Sequence, residues 1–150
     1  MELKTERLLL DDLAPSDHLD SEAGALIGTF RRWAAEVPRS KYQLAIRFEG
    51  VLIGTCGVRK DSLDTREAEF GCEIDPRYWR QGFAAEASRA ILAFAFDELR
   101  VWQIFARTTK GNVGAIALAE GLGFRRVFVD EGDEVTLVRG LPRRPPPPSS

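Results

Sequence analysis

The residues Trp79-Arg80-Gln81-Gly82-Phe83-Ala84-Ala85-Glu86-Ala87 are the stretch best equipped to hold a ligand. They join a strand-like run, residues 68–74, through Asp75-Pro76 to an apolar, helix-forming run over residues 85–99. The first N–H groups of a helix have no partner inside it. The helix dipole adds partial positive charge there, so such a turn suits an anion, phosphate above all. Gly82, Ala84 and Ala85 are small enough to let a ligand approach the backbone, and Arg80 adds a full charge. Just upstream, Glu69 and Glu73 are four residues apart. Two-residue alternation puts both carboxylates on one face of the strand.

The elements that must position these groups follow from pattern. Residues 3–10 read as a first strand. Leu19, Ala23, Leu26, Ile27, Phe30 and Trp33 recur at three- and four-residue intervals, which predicts one or two short amphipathic helices from His18 to about Glu36, capped by Ser16 or Asp17. Tyr42, Leu44, Ile46 and Phe48 alternate as a half-buried strand, and Glu49-Gly50 turns it into a second strand over residues 51–58. After the helix at 85–99 come a strand over 101–108 and a short Ala-rich helix over 113–121. Asn112 suits the cap of that helix, and Gly123 suits a left-handed stop. A closing hairpin over 124–129 and 134–138 turns around Glu131-Gly132-Asp133. The expected class is α/β: a mixed, mostly antiparallel sheet with one parallel strand pair from the strand–helix–strand crossover, and flanking helices.

Composition narrows the field. At 150 residues, 44% hydrophobic and 29% charged, one globular domain is expected over residues 1–141. The Pro-rich end, residues 142–150, reads as a disordered tail rather than a ligand for a proline-binding module. A net charge of −2 lacks the basic footprint of a nucleic-acid binder. No apolar run is long enough to span a membrane, and the charged start of the chain shows no signal peptide, so a cytoplasmic location is expected. His18 with Cys56 and Cys72 leaves a zinc ligand set incomplete. No metal is expected, and the two cysteines read as reduced structural thiols. The turn at Gly82 is a degraded GxGxxG at best, and the strand after it ends in Arg107 and Thr108 rather than an acidic residue, against a dinucleotide fold.

Three blocks, in order, carry a resemblance over about residues 3–140: Thr5-Glu6-Arg7-Leu8-Leu9-Leu10; Phe70-Gly71-Cys72-Glu73-Ile74-Asp75-Pro76 running into the turn at Trp79–Ala87; and Asn112 through Leu122-Gly123-Phe124. Together they resemble a GNAT-type N-acetyltransferase, on the branch similar to ribosomal-protein N-terminal acetyltransferases. The resemblance implies acetyl-CoA as co-substrate and a primary amine, of a small molecule or peptide, as acceptor. It implies two parallel strands splayed at a bulge, with pantetheine between them on backbone groups of Cys72 and Ile74. Arg80, Gln81, Gly82, Phe83, Ala84 and Ala85 would hold the pyrophosphate, and Asn112 would touch the pantetheine arm or act as a plain helix cap. The amine must lose a proton before it attacks the thioester, and Glu69 or Glu73 is the candidate base; either is equally readable as a solvated or paired structural group.

Two departures from the pattern stand out. Ala119 occupies the place of the family's proton-donating tyrosine, and Ala115 that of the branch's serine. A thiol with a pKa near 8.5 leaves without a strong acid. The alternative reading is a catalytically weak acyl-CoA-binding module with a regulatory or partner-binding role. The segment before Tyr42 is short for the branch, which counts against a peptide or ribosomal-protein acceptor. The acceptor and the oligomeric state stay open, a homodimer among the compatible states.

Overall fold

The computed structural model describes residues 1–129 and 132–140. In chain order its elements are β1 (Glu2–Lys4), β2 (Leu8–Asp11), α1 (Glu22–Ala25), α2 (Ile27–Ala35), β3 (Lys41–Phe48), β4 (Val51–Arg59), β5 (Glu67–Ile74), a 3-10 turn (Pro76–Tyr78), α3 (Phe83–Asp97), β6 (Gln103–Thr109), α4 (Val113–Gly121), β7 (Arg125–Val129) and β8 (Glu134–Gly140). The strands form one sheet in the order β1-β2-β3-β4-β5-β6-β8-β7. Among the described residues every pair is antiparallel except β5 with β6. The expected α/β class therefore holds, and the parallel pair arises where α3 crosses over between β5 and β6.

Alternation along β3 sorts the two faces of the sheet. Leu44 and Ile46 join Leu10, Ile53, Val58, Phe70 and Ile104 under Phe83, Ala87, Ile91 and Ala95 of α3. Ala45, between them, faces the other way and packs with Leu13, Ile27 and Phe30 beneath α2. Even-numbered residues of β5, Ala68, Phe70 and Ile74, belong to the α3 side. Glu69 and Glu73 consequently project from the opposite face.

Three local expectations need correction. The stretch 3–10 is not one strand: Thr5 N–H donates to the Leu8 carbonyl (2.9 Å), and Leu8 N–H donates back to Thr5 Oγ1 (3.0 Å), closing a turn that folds β1 onto β2. Neither Ser16 nor Asp17 caps the first helix. Asp17 accepts from Ala14 N–H and from Arg47 instead, so the helix begins only at Glu22, with Ser21 as its cap. The helix expected over 85–99 is displaced toward its N-terminus, because Gly82, at φ 81°, is already its cap, and Arg100, at φ 60°, ends the run. Of the expected closing turn, Glu131 lies outside the described residues, as does the Pro-rich segment 142–150.

Candidate active site

β5 and β6 pair over only three residues: Glu67 with Gln103, Ala68 with Ile104, Glu69 with Phe105. Beyond Glu69 and Phe105 they part. β5 continues to Ile74 on β4 alone, and β6 continues to Thr109 on β8 alone. The register of β5 against β4 runs unbroken from Glu69 to Ile74. The splay therefore arises here without the register shift that the family resemblance implied.

The gap is lined by backbone. Asp75 N–H donates to the Ile53 carbonyl (2.7 Å), so odd-numbered residues of β5 turn their N–H and C=O toward β4. Even-numbered residues turn theirs the other way, and past Glu69 no strand among the described residues receives them. The main-chain groups of Cys72 and Ile74 thus face the gap. The Ile74 carbonyl is already taken, by the indole N–H of Trp79 (2.7 Å). What remains for a ligand is the Ile74 N–H and both groups of Cys72. Nothing in the residue pattern signalled this use of Trp79.

At the C-terminal end of β5 the chain makes the turn that starts α3. Arg80 (φ 64°) and Gly82 (φ 81°) are both left-handed, a conformation cheap only for glycine. Gly82 offers no side chain to cap the helix. The first backbone donor that returns to this cap is Glu86 N–H, to the Gly82 carbonyl (3.0 Å), so the N–H groups of Phe83, Ala84 and Ala85 point out of the helix end. The arrangement has the chemistry an anion needs. Arg80 is exposed and forms no ion pair among the described residues.

The two carboxylates share a face but not a setting. Glu69, at the vertex of the splay, pairs with Arg59 (3.0 Å) and Arg107 (3.1 Å). Glu73 is exposed and lines a cavity of about 170 Å³ together with Asp20, Ser21, Asp75, Arg77 and the edge of Gly54. Arg77 is held by Asp75 (2.7 Å). Its guanidinium and a backbone bond from Arg77 keep the Asp75 carboxyl below its ordinary range.

Asn112 caps α4, accepting from Ala115 N–H (3.2 Å). Ala119 is buried in the main core, 3% exposed. Its methyl group has no proton to donate. Cys56 and Cys72 are direct cross-strand partners, with Ser88 of α3 3.8 Å from the Cys56 sulfur. Burial pushes the Cys56 thiol well above its ordinary range, and the neighbouring Cys72 adds to this. His18, by contrast, sits exposed against Asp20. The structure therefore does not bring His18 to the two cysteines, which lie on the α3 face of the sheet.

Comparison with known proteins agrees with this architecture. Residues 7–125 match the family model for an acetyltransferase (GNAT) domain. An uncharacterized N-acetyltransferase, p20, from Bacillus licheniformis is 26% identical over 106 residues, covering 71% of this chain but only 60% of that protein. In three dimensions, an acetyltransferase from Agrobacterium tumefaciens superposes with a TM-score of 0.74 at 22% identity, over 94% of this chain and 95% of the other. The N-acetyltransferase PseH of Campylobacter jejuni, solved with acetyl coenzyme A, superposes with a TM-score of 0.62 at 19% identity over 76% of each chain. With the parted strands and the open helix end that this match accompanies, the chain belongs to the GNAT acetyltransferase family.

Proposed function

We propose that this protein transfers an acetyl group from acetyl-CoA to a primary amine by direct attack of the amine on the thioester. The observation that carries the reading is the gap itself: a parallel pair that ends after Glu69 and Phe105, beside a helix start whose N–H groups are free. An extended, amide-bearing arm fits between strand edges because it can complete the missing ladder. A pyrophosphate fits the end of α3 because donors and dipole both favour it. Arg80, Gln81, Gly82, Phe83, Ala84 and Ala85 are assigned to that group, Cys72 and Ile74 to the arm through main-chain contacts, and Asn112 to the arm in addition to its cap. The acetyl-CoA complex of PseH supports the same cofactor here.

The bond broken is the thioester C–S bond and the bond formed is C–N; the amine proton leaves to a base and coenzyme A leaves as the thiolate. Glu73 fits the base better than Glu69. It is exposed at the cavity, whereas Glu69 is committed to two guanidiniums. The cavity carries the carboxylates of Asp20, Glu73 and Asp75 against the one guanidinium of Arg77, a balance that suits an amine arriving protonated. The thiolate departs with its own modest basicity, since Ala119 supplies no acid.

Turnover with acetyl-CoA and a panel of amines, read by release of free thiol, tests the proposal. The buried Ala119 and the doubly paired Glu69 favour a second reading, a weak acyl-CoA-binding module. Tight coenzyme A binding without thiol release from any amine would select it.

A further inference from the structure

The opening block of the sequence, Thr5-Glu6-Arg7, has no role in the chemistry above, yet it reaches the turn before α3. Glu86, one turn into α3, accepts three bonds from the β1–β2 turn: from Thr5 Oγ1 (2.5 Å), from Arg7 N–H (2.9 Å) and from Arg7 Nε (2.7 Å). Arg7 Nη1 then donates to the Gln81 carbonyl (2.9 Å). The guanidinium lies 4.4 Å from the centroid of the buried Phe83 ring. Its Nη2 stands where a Cβ on Gly82 would be 3.3 Å away. The Glu86 carboxylate is only 15% exposed. Burial would raise its pKa, but the Thr5 hydroxyl and the Arg7 groups together outweigh that and hold it below its ordinary range.

These bonds decide which way one peptide unit faces. The Gln81 carbonyl and the Gly82 N–H belong to the same planar trans unit and point in opposite directions. Pulling the carbonyl onto Arg7 therefore turns the Gly82 N–H away from the β1–β2 turn. At a glycine the opposite orientation is also sterically open, and it would present a carbonyl dipole where an anion should bind. We propose that Arg7 is a positioning residue for the pyrophosphate site: anchored by Glu86, it holds the Gln81–Gly82 peptide with its N–H directed outward, beside those of Phe83, Ala84 and Ala85. This rests on the assignment of coenzyme A to the end of α3. Lysine is a poor substitute, because bonds to Glu86 and Gln81 at once need the guanidinium fork.

The test compares wild type, Arg7→Met and Glu86→Gln. Methionine keeps an apolar stem over Phe83 and removes the donors. Calorimetric affinity for coenzyme A should fall about 10-fold in Arg7→Met, the size of a lost charge-assisted bond, and less in Glu86→Gln. With acetyl-CoA the KM should rise while kcat stays within about twofold. S-acetylpantetheine, which lacks the pyrophosphate, should react with the same kcat/KM in wild type and variant. An unchanged coenzyme A affinity in folded Arg7→Met overturns the inference, and so does an equal loss with both thioesters, the mark of a merely structural role. The calorimetric arm decides the matter even where turnover is too slow to follow. If wild type itself uses acetyl-CoA and S-acetylpantetheine equally well, the assignment of the pyrophosphate fails, which is a different result from a wild-type preference that survives in Arg7→Met.

Discussion

The gap between β5 and β6 and the carboxylate-bearing face of β5 are built on different principles. Along the gap and at the start of α3 the groups offered are main-chain N–H and C=O, and side chains brace the backbone around them: the Ile74 carbonyl accepts from Trp79, the Gln81 carbonyl accepts from Arg7, and Arg7 is held by Glu86 and Phe83. On the carboxylate face the groups are side chains. One is neutralised by a pair of arginines, and the other forms no ion pair among the described residues and lines a small cavity. Backbone groups recognise what every acetyl-CoA presents and tolerate changes of residue type. Side chains select one acceptor and do not. Under the proposed function the first region is the cofactor half and the second the acceptor half.

The comparison breaks most sharply at Gly82. Gly82→Glu forces a side chain onto a left-handed position, costing about 1–2 kcal/mol, and places a negative charge where the proposed function puts the pyrophosphate. The affinity for coenzyme A should drop on the order of 1,000-fold, about 4 kcal/mol. Calorimetry on the folded variant checks this, and unchanged affinity would remove the pyrophosphate from this turn.

On the acceptor side, Glu73→Gln should lower turnover about 100-fold at pH values below the amine's own pKa, with coenzyme A affinity unchanged. The loss should shrink at higher pH, where the amine arrives neutral. Glu69→Gln should cost less, because its carboxylate is spent on Arg59 and Arg107. pH–rate profiles of both variants at saturating acetyl-CoA separate the two glutamates. If Glu69→Gln proves the slower enzyme, the assignment of the base is reversed.

A third break lies in the segment that leads to the cavity beside Glu73. Arg47 of β3 pairs with Asp17 (2.8 Å) and Asp11 (2.8 Å), tying the segment before α1 to the sheet. The bond from Arg47 holds the Asp17 carboxyl below its ordinary range, with burial opposing and the Ala14 N–H assisting. A depressed folded-state pKa contributes stability above the unfolded value, and that contribution fades as pH falls through the folded one. Asp17→Asn should lower stability by about 2 kcal/mol at pH 7, somewhat under the cost of breaking a fully buried pair. The difference from wild type should begin to shrink below about pH 4 and keep shrinking as pH falls toward the lowered folded-state value. Urea denaturation at pH 7 and pH 3 measures both; a difference as large at pH 3 as at pH 7 contradicts the ion-pair account.

The smallest effect is expected at Cys72. Its main chain faces the gap while its side chain lies on the α3 face beside Cys56. Cys72→Ser should keep turnover within about threefold, since a serine preserves every backbone group. Complete loss, together with an acetylated cysteine trapped in wild type and seen by mass spectrometry, would point to covalent catalysis instead.

Local pattern was enough to read the glycine turn before α3, the sheet class and the shared face of Glu69 and Glu73. Each depends on groups within a few residues of one another: a glycine before a helix, a two-residue period, a crossover helix between strands. The three blocks of resemblance added the family, which the match over residues 7–125 shows. The first helix and the first strand depart from the pattern for different reasons. Asp17 has local capping chemistry, but Arg47, thirty residues away, claims it, whereas Thr5 breaks the strand locally by bonding to Leu8 and is held there by Glu86. The same limit hid the settings of the carboxylates. That Glu69 sits between two arginines while Glu73 opens on a cavity depends on β4 and β6 lying on either side of β5. The brace from Arg7 to Gln81, which spans 74 residues of sequence, depends likewise on packing between distant segments, the β1–β2 turn against the start of α3. Residue types and short spacings determined which groups this chain possesses. Only the tertiary structure decided which of them are free, because an ion pair or a hydrogen bond between distant segments leaves no periodicity behind.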